Sequence, residues 1–80
     1  MLEFIWIDWK RAKIAAHALG ESEVEYVVRS NPVAHTGNHP VNGEFCETVG
    51  KCPSGRPIRV VWRYDEDWDG ERKAFVITAY

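Results

Sequence analysis

Arg59 and Arg63 stand four apart in the stretch "RPIRVVWRY", where Ile58, Val60, Trp62 and Tyr64 alternate with Arg59, Val61 and Arg63. A period of two marks a half-buried β-strand, and residues two apart on a strand share a face. The two guanidinium groups therefore point the same way. With Lys51 they can form a strip that binds phosphate, and Arg56 adds a cation at the start of the same strand. The same alternation also serves a strand whose outer face is merely solvated. The pattern by itself leaves both uses open.

Other polar groups are scattered along the chain. His17 falls at the end of a helical stretch, where it can interact with a helix C-terminus. His35 and His39 flank a turn, and histidine is the side chain suited to carry protons near neutral pH. Tyr64 and Tyr80 offer hydroxyl donors. Trp68, within "DEDWDG", reads as an exposed loop tryptophan available to a partner. Cys46 and Cys52 are not a CxxC pair, and no histidine follows at zinc-finger spacing. They read as free thiols on a strand or turn. A metal site joining them to His35 and His39 lacks the short fixed spacing of ligand pairs. Neither a metal nor a cofactor is expected.

The chain has 80 residues, so a single domain over residues 1–80 is expected. A chain this short buries only about 60–65% of its unfolded surface. Four Trp help, since each large ring can bury roughly 150–250 Å². The formal net charge is −2, which disfavours non-specific nucleic-acid binding through Lys and Arg. A local basic strip remains compatible with that sum. "GESEVE" and "DEDWDGE" read as solvated acidic faces that would repel RNA locally and attract a basic partner. No apolar run approaches the length of a membrane span. The opening "MLEFIWIDWK" lacks the basic region, long apolar stretch and cleavage site of a signal peptide. A cytoplasmic protein with no membrane partner is expected.

The elements that position the arginines follow from punctuation and period. "MLEFIWI" reads as a strand or an extended lead-in, and Asp8 as the N-cap of a first helix. "WKRAKIAAHAL" is rich in helix formers, with Trp9, Ala12, Ala16 and Leu19 predicted on its buried face and Gly20 at its C-terminal turn. Ser22 and Glu25 have capping-box spacing for a second helix. Val24, Val27 and Val28 make its buried stripe, and Asn31-Pro32 ends it. The second half reads as β: "PVAH", "GEFCETVGKC" before the turn "PSG", "RPIRVVWRY", the loop "DEDWDG" and "KAFVITAY". Ile58, Val60 and Trp62 are expected to face the helices. The expected class is α+β: an N-terminal helical hairpin packed on an antiparallel sheet of three to four strands.

In this order of motifs the sequence resembles the BrnT-like family, toxins of type II toxin–antitoxin pairs with a RelE-like ribonuclease fold. "FIWID" is similar to the family's opening segment. "AAHALGESEVEYVVRSNP" is similar to its histidine-glycine turn and acidic capped helix, with "HAL" and Gly20 in place of the histidine-glycine pair. "VGKCPSGRPIRVVW" resembles its strand–turn–strand hairpin, and "VITAY" its closing strand. The resemblance covers nearly the whole chain. It implies a metal-independent endoribonuclease held inactive by a co-encoded antitoxin, of ribbon-helix-helix type, with RNA as substrate. Such an enzyme orients the RNA 2′-OH onto the adjacent phosphate and stabilises the charge that develops. The implied catalytic residues are Arg59, Arg63 and Tyr80, with Lys51 and Arg56 binding RNA. Tyr80 stands where active relatives carry an arginine, and no basic helix follows. The alternative is a non-catalytic relative that keeps the fold and serves as a protein-interaction or regulatory module.

Overall fold

The computed structural model describes residues 2–41, 43–66 and 70–80. The elements are β1 (Phe4–Ile5), α1 (Asp8–Ala15), α2 (Glu21–Ser30), β2 (His35–His39), β3 (Gly43–Lys51), β4 (Pro57–Glu66) and β5 (Arg72–Ala79). The class is α+β, and the strands make one five-stranded sheet in the order β1-β5-β4-β3-β2. Strands β2 to β5 pair antiparallel in succession. β1 lies parallel to β5, with Phe4 opposite Ala74 and Ile5 opposite Phe75. The sheet is thus mixed and has one strand more than the expected three to four. The lead-in is recruited as a strand because α1, which follows it, packs on β5. β2 also differs from the expected "PVAH": its pairing with β3 begins at His35. Trp68 lies outside the described residues.

α2 follows its sequence. It packs on β3 and β4, and Val24, Val27 and Val28 are buried in one core cluster with Ile58, Val60 and Trp62 of β4. Its N-terminus is capped two residues earlier than expected. The N-cap is Gly20, whose N–H donates to Glu23 Oε1 at 3.2 Å, not Ser22 with Glu25. After Ser30 the backbone turns extended at Asn31. The Asn31 side chain donates to the Val27 carbonyl at 2.8 Å and sits where a side chain on Gly50 would have to go.

α1 departs from its expected pattern. Trp9, Ala12 and Ala16 are exposed, and the residues turned inward are Lys10 and Ile14, one helical turn apart. Alanines contribute little apolar area, so tertiary packing sets the rotation of this helix. The N-cap is Ile7; Asp8 is the first helical residue and pairs with Arg11 at 3.1 Å. The helix closes on Ala18, not Gly20, as its residue of positive φ (57°). Ala18 N–H donates to the Ala15 carbonyl at 2.9 Å and Leu19 N–H to the Ile14 carbonyl at 3.1 Å. This is the Schellman pattern, and the buried Ile14 and Leu19 supply its accompanying apolar contact.

β5 carries a bulge. Val61 is opposite Thr78 but Trp62 is opposite Val76, so Ile77 is extra on β5. Before the bulge the residues facing the core are Ala74 and Val76; after it the core-facing residue is Ala79, opposite Val60. An unbroken alternation from Ala74 and Val76 would have turned Tyr80 toward the helices. The bulge puts it on the opposite face. Lys10 is only 7% exposed, and its Nζ donates to the Ile77 carbonyl at the bulge, 3.0 Å away.

β4 is central and two-faced. Ile58, Val60 and Trp62 are buried, and Trp62 Nε1 donates to the buried Thr48 Oγ1 at 3.0 Å. Among the described residues no helix is long and apolar enough to cross a membrane.

Two consequences for stability can be measured by urea denaturation. Thr48→Val keeps the shape but leaves the indole N–H without its acceptor, and should cost about 1–3 kcal/mol. Ala18→Gly removes the steric penalty of the left-handed conformation and should raise stability by about 1 kcal/mol.

Candidate functional site

The face of the sheet away from the core cluster carries the sequence-predicted residues. Arg59, Val61 and Arg63 alternate with the buried residues of β4. Register brings Val49 opposite Arg59 and Glu47 opposite Val61 on β3, with Thr78 and Phe75 opposite Val61 and Arg63 on β5. Tyr80 meets Arg59 directly. Arg59 N–H donates to the Tyr80 carbonyl at 2.7 Å, and Tyr80 N–H returns a bond to the Arg59 carbonyl at 2.9 Å.

Two clusters result. At one end Arg59 Nη1 donates to Glu47 Oε2 at 2.7 Å, and the half-exposed Tyr80 has the His17 ring 6.3 Å away, centroid to centroid. At the other end the Arg63 guanidinium lies 4.7 Å from the Phe75 ring centroid and 3.6 Å from an Asp65 carboxylate oxygen. Lys10 Nζ lies 5.9 Å from the same ring and 4.0 Å from that of Trp9. Arg59 and Arg63 are four residues apart, roughly 13 Å along a strand at about 3.3 Å per residue. Arg59 turns toward Glu47 on β3 and Arg63 toward Phe75 on β5, so the two guanidinium groups do not converge. Their spacing suits a chain of phosphates running along β4.

Lys51 is exposed on β3 and pairs with Pro57, so it extends this face beyond Arg59. Arg56 is engaged elsewhere: its guanidinium donates to the carbonyls of His17 (2.7 Å) and Ala18 (3.1 Å). These carbonyls belong to the turn after α1, where a cation interacts favourably with the helix end. Arg56 therefore ties β4 to α1 and holds the backbone of His17 beside Tyr80.

Three members of this face were not evident from sequence as site residues. Glu47 joins Arg59 only through the β3–β4 register. His17 joins Tyr80 only through the bulge and the Arg56 tether. Lys10 reads as an ordinary helix former, and no spacing signals its burial. Desolvation, then the positive charges of Lys13 and Arg63, push its pKa below the usual lysine value. Among the described residues it makes no ion pair.

The other residues singled out in the sequence lie apart. His35 packs near Phe45, with ring centroids 6.4 Å apart, and His39 Nδ1 accepts from the Val41 N–H at 3.1 Å. Tyr64 lies on the core side, edge-on to Trp62 at 4.8 Å. There it lines a groove of ≈ 560 Å³ with Thr36, Asn38, Glu44, Cys46 and Arg72. The Arg72 guanidinium stacks 4.0 Å over the Tyr64 ring. Both cysteines are free thiols, and burial pushes the pKa of each up. Among the described residues no group of three or more His, Cys, Asp or Glu is placed to hold a metal ion.

Comparison with protein families, curated proteins and solved structures finds no match.

The tether is open to measurement. Arg56→Met removes both bonds to the α1 turn and should cost about 1 kcal/mol, seen as a fall in Tm of about 4–8 °C. The ring resonances of His17 and Tyr80 should shift together in an NMR spectrum of the variant.

Proposed function

We propose that this chain is a BrnT-like toxin, a cytoplasmic metal-independent endoribonuclease that a co-encoded antitoxin of ribbon-helix-helix type neutralises. The observation that carries this reading is the turning of Tyr80 by the bulge onto the face of Arg59, with the His17 ring beside it. The motif order of the chain supports it as well.

The chemistry assigned to the cluster is transesterification within RNA. The 2′-oxygen forms a bond to the adjacent phosphorus, and the bond from phosphorus to the 5′-oxygen breaks. The 2′-OH proton must go to a base, and Glu47 is the carboxylate nearest Arg59. The leaving 5′-oxygen needs a proton, which the Tyr80 hydroxyl can give. Arg59 stabilises the charge on the phosphorane. Arg63 and Lys51 hold the flanking phosphates of a strand laid along the face.

The Arg59–Glu47 pair also favours a second reading. A carboxylate 2.7 Å from the guanidinium offsets its charge, on a chain whose net charge is already −2. Such a face suits a non-catalytic relative that binds a protein partner.

Expression without antitoxin, with cellular RNA followed over time, separates the two. On the toxin reading, wild-type protein arrests growth and degrades RNA, and the cleavage survives EDTA in vitro. Loss of one well-placed electrostatic donor typically costs about 10²–10³ in rate, so Arg59→Ala should abolish the effect while the protein stays folded, and Arg63→Ala should weaken it through the flanking phosphate. Tyr80→Phe should weaken it. If wild-type protein leaves growth and RNA untouched, the ribonuclease reading falls and the interaction module takes its place.

A further inference from the structure

We infer that Trp9, Lys10, Arg63 and Phe75 form a nucleotide subsite for single-stranded RNA, at the end of the face away from Tyr80. The inference deepens the reading of this face as an RNA surface and rests on it.

Four observations converge. First, Trp9 is 60% exposed although it belongs to a helix packed on the sheet. A large flat ring left in solvent is a stacking platform, and bases of any sequence can stack on it. Second, the ammonium group of Lys10 lies 4.0 Å from the centroid of that same ring, so platform and cation are adjacent. Third, Lys10 and Arg63 converge on one ring, with Nζ at 5.9 Å and the guanidinium carbon at 4.7 Å from the Phe75 centroid. Fourth, among the described residues the charges that bear on Lys10 are those of Lys13 and Arg63, both positive. Two cations gathered over one ring repel each other, and an anion between them relieves the repulsion.

A phosphodiester next to a stacked base has the required shape. The base lies on Trp9, and its phosphate draws on Lys10 and Arg63 together. Asp65, 3.6 Å from Arg63, is a carboxylate that the phosphate must outcompete. Lys10 keeps its bond to the Ile77 carbonyl, which uses one of the three donors of an ammonium group. The subsite lies roughly 13 Å along β4 from Arg59, about 3.3 Å per residue. It would therefore hold a nucleotide flanking the reacting one.

The test uses a short 2′-O-methyl RNA strand of mixed sequence, which binds but lacks the reacting hydroxyl. Binding is read by fluorescence anisotropy at several salt concentrations, with inorganic phosphate titrated separately by NMR. The expected result is binding that Trp9→Ala and Arg63→Met each weaken about tenfold or more. Arg63→Met should also flatten the salt dependence by about 0.7 log unit per log unit of salt, one phosphate contact on a single strand. Tyr26→Ala, an exposed aromatic on the other helix, should leave binding unchanged. Lys10→Met should behave like Arg63→Met if it folds; if it does not, the two exposed variants decide. Phosphate alone should shift the amide signals around Lys10 and Phe75.

Wild-type protein that fails to bind the strand, or Trp9→Ala and Arg63→Met that bind as wild type, would overturn the subsite. The two proposals fail separately. Binding through Trp9 with no cleavage of unmodified RNA keeps the subsite and removes the ribonuclease. Cleavage with binding unaffected by either substitution does the reverse.

Discussion

The hydrogen bond from Lys10 Nζ to the Ile77 carbonyl couples the two halves of this protein. Taking an ammonium group out of water is expensive unless it is bonded and partnered. Among the described residues that cost is met by one carbonyl and two aromatic rings rather than a carboxylate. What the contact supports is the β5 bulge. The bulge decides which face Tyr80 occupies, and so whether Tyr80 and Arg59, paired through their backbones, share a face. A buried contact between α1 and β5 thus underlies the composition of the outer face.

The second constraint is the register of β3 against β4. Trp62 and Thr48 meet by a side-chain bond inside the core. A slip of one residue would drive Arg59 and Arg63 inward and expel Trp62, because every side chain changes face. The cationic strip is therefore as firmly placed as the core itself. Arg59 reaches Glu47 only in this register.

How far these features could be read from sequence differs between elements for physical reasons. The α2 valine stripe and the β4 alternation were legible because their apolar residues are large and periodic. α1 was not: its alanines bury too little area to choose a face, and packing chose Lys10 instead. The left-handed turn fell on Ala18 although Gly20 stood two residues away, since the Ile14–Leu19 contact fixes where the helix closes. Arg59 and Arg63 were correctly placed on one face by period alone. Tyr80 required the bulge, and no residue in "KAFVITAY" announces one. Arg56 read as one more cation on β4, but the proximity of the α1 turn gave it a different task. Glu47, His17 and Lys10 depend on contacts between elements distant in sequence, which local pattern does not contain.

The parallel pairing of β1 with β5 has a consequence for how the protein is made. It joins the first strand to the last, a contact with the highest cost in chain closure. During synthesis Phe4 and Trp6 leave the ribosome early, yet the core residues of β5 that complete their surroundings leave late. Helix α2 must wait as well, for β3 and β4, on which it packs. The fold closes only once β5 has left the ribosome, and the opening aromatic segment is exposed to chaperones until then. Any partner that binds the folded outer face must wait for β5, since Arg59 and Tyr80 do not meet before it pairs with β4.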